Sequence, residues 1–111
     1  MFALALQPDG EVISIPANDE GAEIGIAIGG ILTALLPLAK AGKIVASALC
    51  TPIPANIVKD GRSAVVFDLE HRDGSRIYAV LPYHKHDYLG WQYGSMEYSR
   101  GKSQLFVRDP L

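Results

Sequence analysis

The stretch IGIAIGGILTALLPL, residues 24–38, runs without a charge, and Thr33 carries its only hydroxyl. Asp19, Glu20 and Glu23 precede it, and Lys40 and Lys43 follow it. That order of signs suits a helix macrodipole, while Asn18 or Asp19 can cap the start and Gly42 the end. A helix over Gly21 to Ala41 is therefore expected, and the rest of the chain has to cover it. Ile24, Ile28, Ile31, Leu35 and Leu38 recur at spacings of four and three, which makes a core-facing seam. Gly21, Gly25 and Gly29 recur every four, each costing about 1 kcal/mol of helix propensity against alanine. Such a row is expected where another backbone approaches closely, from a neighbouring strand or from the same helix of a second subunit. Pro37 removes one helical hydrogen bond, so a kink or an offset last turn is expected there.

Small residues at every fourth position also mark membrane-spanning helices. The uncharged run, however, would rise only about 22 to 24 Å at ~1.5 Å per residue, short of a hydrocarbon core of about 30 Å. Strand-like sequence on both sides makes a buried central helix the simpler reading. No basic segment opens the chain ahead of an apolar run, so a secretory leader is not expected.

The 111 residues suit one domain, 1–111, able to bury a core without metal or disulfide staples. Hydrophobic content of 49% with 20% charged residues is ordinary globular composition. Cys50, the single cysteine, cannot form an internal disulfide, and a cytoplasmic location is the default expectation. The net charge of −2 leaves no basic excess for a phosphate backbone, so nucleic acid is not the expected partner.

Phe2–Leu6 (FALAL) and Glu11–Ile15 (EVISI) flank Gln7-Pro8-Asp9-Gly10, a turn sequence, and read as a hairpin. Two registers are open. A loop of Pro8 to Gly10 sets Gln7 opposite Glu11, whereas a turn of Asp9 and Gly10 alone sets Leu6 opposite Ile13 and Leu4 opposite Ile15. After the helix, Lys43–Thr51 alternates and reads as a strand ending at Pro52, with a connecting loop over Ile53–Arg62. Ser63–His71 and Arg76–His84 flank Arg72-Asp73-Gly74-Ser75, a strong hairpin signal. A two-residue Asp73-Gly74 turn would set Leu69 opposite Tyr78, Phe67 opposite Val80 and Val65 opposite Pro82. Asp68 and Glu70 would then share a solvated patch with Ile77, Ala79, Leu81 and Tyr83, leaving an apolar half-face for a partner subunit. A short strand over Trp91–Tyr93 and a last one over Gln104–Arg108 complete the pattern.

The expected class is α+β: an antiparallel sheet, made of an N-terminal hairpin and a C-terminal meander, packed on one long apolar helix in the order β-β-α-β-β-β(-β-β). This element order resembles profilin-like and roadblock-like modules, and also the helix wrapped by a sheet in cystatin-like folds. The resemblance covers element order alone and fixes no function.

Chemistry is sparse. His84, His86 and Asp87 could contribute metal ligands, because imidazole and carboxylate suit zinc or iron. His71 lies roughly 26 Å along the strand from His84 at ~3.3 Å per residue, so it cannot share their ion. Exposed histidines at a strand end are the plainer reading, and no metal and no cofactor is expected. Asp68 and Glu70 sit at roughly the 7 Å spacing that acid/base pairs use. Cys50 has no histidine placed beside it and reads as a small buried hydrophobe. No phosphate loop, nucleophile elbow or Cys-x-x-Cys appears.

The aromatic segment stands out. Tyr83, Tyr88, Trp91 and Tyr93, interleaved with His84 and His86, have the composition of a protein-binding patch. The expectation is a non-enzymatic protein-binding or accessory domain that forms a homodimer through its sheet or its glycine-striped helix face. The alternative, from a different class, is a small metal-dependent or acid/base enzyme using His84, His86 and Asp87.

Overall fold

The computed structural model describes residues 1–17, 23–53 and 63–106. Its elements follow the order β1 (Phe2–Leu6), β2 (Val12–Pro16), α1 (Ile24–Lys40), β3 (Ala46–Ile53), β4 (Ser63–His71), β5 (Arg76–His86), β6 (Gly90–Tyr93) and β7 (Glu97–Arg100). The strands form one antiparallel sheet in the order β2-β1-β3-β4-β5-β6, and β7 also pairs with β5. This is the expected α+β class: one apolar helix on an open antiparallel sheet.

The seam of α1 is as the spacing predicts, with Ile31 and Leu35 buried and Ile24, Ile28 and Leu38 partly so. Ala27 completes the buried stripe. Strand β1 beneath presents small side chains, Ala3 and Ala5, to the core that Ile31 and Leu35 fill. At the C-terminal end Lys43 N–H donates to the Leu38 carbonyl and Gly42 N–H to that of Ala39, with Gly42 left-handed at φ 70°. That is a Schellman closure, and it makes Gly42 the stop signal. The helix runs through Pro37 to Lys40. Its expected caps, Asn18 and Asp19, and the Gly21 start lie outside the described residues, as does most of the Ile53–Arg62 connector.

No neighbouring strand of the same chain meets the glycine row among the described residues. A Cβ added at Gly25 or Gly29 would meet nothing within 4 Å, so no backbone approaches there among the described residues. That side of the helix, with Ile26 at 59% exposure, faces outward and carries no charge between Ile24 and Ala39.

Both Asp-Gly hairpins turn in one way. Gln7 N–H donates to the Glu11 carbonyl and Gly10 N–H to the Gln7 carbonyl, while Asp9 Oδ1 accepts from Glu11 N–H. His71 donates to Ser75, Gly74 to His71, and Ser75 to Asp73 Oδ1 in the same pattern. Gly10 at φ 92° and Gly74 at φ 96° supply the left-handed residue of a three-residue loop. The first hairpin thus takes the Pro8 to Gly10 register. The second departs from the expected two-residue turn, because the Asp73 side chain bridging to Ser75 favours the longer loop.

The shift by one residue changes what shares a face. Leu69 pairs with Ile77, Phe67 with Ala79 and Val65 with Leu81, whereas Asp68 pairs with Tyr78 and Glu70 with Arg76. The apolar residues of β4 and β5 therefore lie together, and the two carboxylates lie on the helix side.

Two further boundaries are corrected. Strand β3 continues through Pro52 to Ile53. Arg72 N–H donates to the Val45 carbonyl, which makes the odd-numbered residues of β3 the ones bonded to β4. Pro52 therefore faces the opposite edge, beyond Phe2 of β1, where no donor is required. The last strand among the described residues is Glu97–Arg100, and Gln104 to Phe106 of the expected Gln104–Arg108 strand are irregular. Residues 101–106 instead cross the helix side of the sheet as an irregular strap, and 107–108 lie outside the described residues.

Candidate functional site

Every strand has one face toward α1 and one away from it. The register aligns the outward residues in rows across the sheet: Leu6, Ala46 and His71; Leu4, Ala48, Leu69 and Ile77; Phe2, Cys50, Phe67, Ala79 and Tyr98. Phe2, Leu4, Val12, Leu69, Ile77 and Tyr98 are exposed there. No element packs on this face among the described residues, and its central rows carry no acidic side chain. Large exposed apolar patches mark interaction sites, ligand-binding grooves or aggregation liabilities in soluble proteins.

The face is not flat. Ala46 and Ala48 of β3 form a low floor between Leu4, Leu6 and Val12 on one side and Leu69 and Ile77 on the other. They enclose a trough of about 410 Å³, almost wholly apolar, with His71 and Ser75 at its end. Cys50 lies in the next row. Burial pushes its thiol up from the usual value, against a smaller opposing pull from the N-terminal ammonium, so it remains the neutral thiol at neutral pH.

At the other end β5 outruns its neighbours. Among the described residues β4 pairs only as far as Tyr83 and β7 spans only Ile77 to Val80, so there His84–His86 and β6 form a two-stranded arm. Tyr83, Trp91 and Tyr93 stand on its outward face, with the Tyr83 and Trp91 rings tilted at 5.7 Å between centroids. Lys85 Nζ sits 5.9 Å from the Trp91 ring centroid, within cation–π range. These contacts stiffen an arm that would be marginal as a bare hairpin. Its tip holds Tyr88 at 92% exposure and Leu89 at 69%.

The structure thus divides the expected binding residues. Tyr83, Trp91 and Tyr93 share the outward face, Tyr88 is at the tip, and His84 and His86 lie on the arm's other side. His86 Nδ1 accepts from Tyr88 N–H and Leu89 N–H at 3.2 and 3.3 Å, with its ring 6.2 Å from that of Tyr88, so His86 shapes the tip. His84 and Asp87 are exposed. Among the described residues no three histidine, cysteine or acidic side chains converge on a point that could hold a metal ion.

The carboxylates are structural neighbours of the core and not a solvated pair. Asp68 holds Arg76 through both oxygens, at 2.9 and 2.7 Å. This pairing, by hydrogen bond first, pushes the Arg76 guanidinium further up. Glu70, 5% exposed, accepts at Oε1 from Ser103 Oγ and from the N–H groups of Gln104, Leu105 and Phe106, at 2.6 to 3.2 Å. Arg76 also donates to the Lys102 carbonyl, and Leu105 is buried in the core. The trio clamps the strap. Nothing in the local sequence of Glu70 signals this role, since its partners lie more than thirty positions away.

No helix among the described residues is long and apolar enough to cross a membrane. No protein-family model, curated protein or solved structure matches this chain.

Proposed function

We propose that this chain is a non-enzymatic protein-interaction domain that works through the sheet face turned away from α1, and that its first partner is a second copy of itself. The observation that carries this reading is the continuous uncharged surface over β1, β3, β4 and β5, on which no element packs among the described residues. Six strands at ~4.8 Å spacing and about seven residues at ~3.3 Å give a projected area of roughly 500 Å². Side-chain relief and the arm add to it, which brings it to the order of the ~800 Å² per partner found in stable interfaces. Two such faces can meet without bringing acids together, since the cations Lys85 and Arg100 stand at the rim. Aligned stacking of two sheets about 10 Å apart is the ordinary way to bury such surfaces.

The test is the molar mass by light scattering of the wild type beside Phe2→Lys, which puts a charge in the central row, and Ile26→Lys, which puts one on the helix. A dimer that only Phe2→Lys splits, with far-UV circular dichroism unchanged, supports the reading. A wild-type monomer at micromolar concentration, or a dimer split only by Ile26→Lys, refutes it.

A further inference from the structure

The N–H groups of Gln104, Leu105 and Phe106 converge on one oxygen, Glu70 Oε1, with the Ser103 hydroxyl beside them. Three successive main-chain donors meet at a point only where the chain bends, and the strap bends over 104–106. Arg76 adds a bond to the Lys102 carbonyl, and Leu105 joins the buried cluster of Leu35 and Ile44. The root of the strap is held differently. Gly101 N–H donates to the Arg76 carbonyl, and a Cβ there would stand 2.5 Å from the Tyr78 ring, so Gly101 is fixed at the end of β7. From Lys102 to Phe106 no bond between main-chain groups holds the strap among the described residues. It can lift from Gly101 while β7 stays paired, and a segment held by a carboxylate, a guanidinium and one leucine opens more readily than a sheet.

We infer that this seat, on the helix side of the sheet, is a peptide-binding site whose built-in ligand is residues 102–106, and that a peptide from another protein with the same Ser-x-Leu-Phe pattern displaces them. The occupant's chemistry follows from what the strap satisfies. A replacement has to bring main-chain N–H groups to the buried Glu70 carboxylate and a carbonyl to Arg76, or those groups stand desolvated without partners. A cation could answer Glu70 alone, whereas a bent peptide answers Glu70, Arg76 and the Leu105 pocket together. The tethered strap has the advantage of a high effective concentration. An external ligand can offset it, because Gln104 borders a cleft of about 290 Å³ walled by Ile24, Ile28 and Leu32 of α1 over Val66. An apolar side chain set there gains burial that the exposed Gln104 does not.

The probe is the labelled peptide Lys-Ser-Gln-Leu-Phe, residues 102–106, followed by fluorescence anisotropy against full-length chains. Leu105→Ser, which loosens its own strap, should bind the peptide at least tenfold more tightly than wild type, where the tethered copy competes. Glu70→Ala frees the strap but removes the acceptor, and should bind at least tenfold more weakly than Leu105→Ser. The same loss is expected for a peptide with serine in place of its leucine. No binding to Leu105→Ser at millimolar peptide, with far-UV circular dichroism as in wild type, overturns the inference, and so does equal binding to Glu70→Ala. Hydrogen exchange of the unaltered chain decides the matter even where Leu105→Ser fails to fold. The amides of Gln104, Leu105 and Phe106 should be at least a hundredfold less protected than those of Leu49 and Val66 in the sheet. Equal protection would mean that the strap opens only when the sheet does, and the built-in ligand would be no ligand.

Discussion

Replacing Glu70 with alanine removes the acceptor that holds the strap, and the loss can be bounded from two sides. Oε1 takes four donors, three of them main-chain N–H groups, of which that of Leu105 is buried. A buried donor left without a partner costs about 1–3 kcal/mol, a penalty that falls in full on the Leu105 N–H and only in part on the part-buried N–H groups of Gln104 and Phe106 if the strap stayed in place. It need not stay. Detachment of residues 101–106 would forfeit the burial of Leu105, about 1.5–3 kcal/mol, and the bonds to Arg76, with the backbone entropy it returns offsetting part of that loss. The cheaper route wins, and the expected loss is about 2–4 kcal/mol. Glu70→Gln keeps one acceptor oxygen and loses the charge, so about 1–2 kcal/mol is expected, since bonds to a charged group are roughly twice as strong. Urea unfolding followed by circular dichroism measures the global term, and amide hydrogen exchange at Gln104, Leu105 and Phe106 the local one. Glu70→Ala within 0.5 kcal/mol of wild type, with those amides still protected, would refute the clamp.

Gly25→Ala and Gly29→Ala should each stabilise the chain by up to about 1 kcal/mol, because the added methyl meets open space and helix propensity improves. A loss of dimer in either variant would mean that the helix face is the interface, and light scattering beside thermal melts reads both. Gly74→Ala should destabilise by about 1 kcal/mol or more, since φ 96° suits only glycine, whereas Gly74→Asn should cost less. The Ser75 N–H, and then the Ser75 hydroxyl, hold the Asp73 carboxyl below its ordinary 3.8, with weaker help from His71. A lowered folded value means that the stabilisation is complete above the unfolded aspartate value and fades as pH falls through the lowered one. Carboxyl titration by nuclear magnetic resonance should therefore place Asp73 under 3.8, and a midpoint at or above it would remove the Ser75 contact from the account.

The elements of the fold were legible because each had a local cause. The uncharged run between acids and lysines gave the helix, Gly42 gave its end, and alternation gave six of the seven strands. What failed was whatever depended on one residue of register or on distant partners. Asp-Gly serves a two-residue turn and a three-residue loop alike, and only the Asp73 side chain reaching Ser75 decides for the latter. That single step put Asp68 and Glu70 beside Tyr78 and Arg76, and Leu69, Phe67 and Val65 beside Ile77, Ala79 and Leu81. The aromatic segment was visible by composition, but its division into arm face and tip requires knowing that β5 outlasts β4. The strap was illegible, because residues 101–106 have no period and their anchor is Glu70.

The mismatch between one helix and a wide sheet supplies the physical reason for a partner. A helix with its side chains is about 10–12 Å across, whereas six strands at ~4.8 Å span roughly 24 Å. On the helix side, α1 lies over β1 and β3, and the strap, clamped by Asp68, Arg76 and Glu70, covers part of β4 and β5. Polar side chains appear on that side where cover runs thin: Thr51, Asp68 and Tyr78 line the cleft between helix and strap. On the other side the same strands carry leucine, isoleucine and phenylalanine with no such concession. A face meant for water would show the alternation of β2, where Ser14 interrupts Val12 and Pro16. The outward residues of β3, β4 and β5 have instead the composition of an interior, which is what the proposed interaction face rests on.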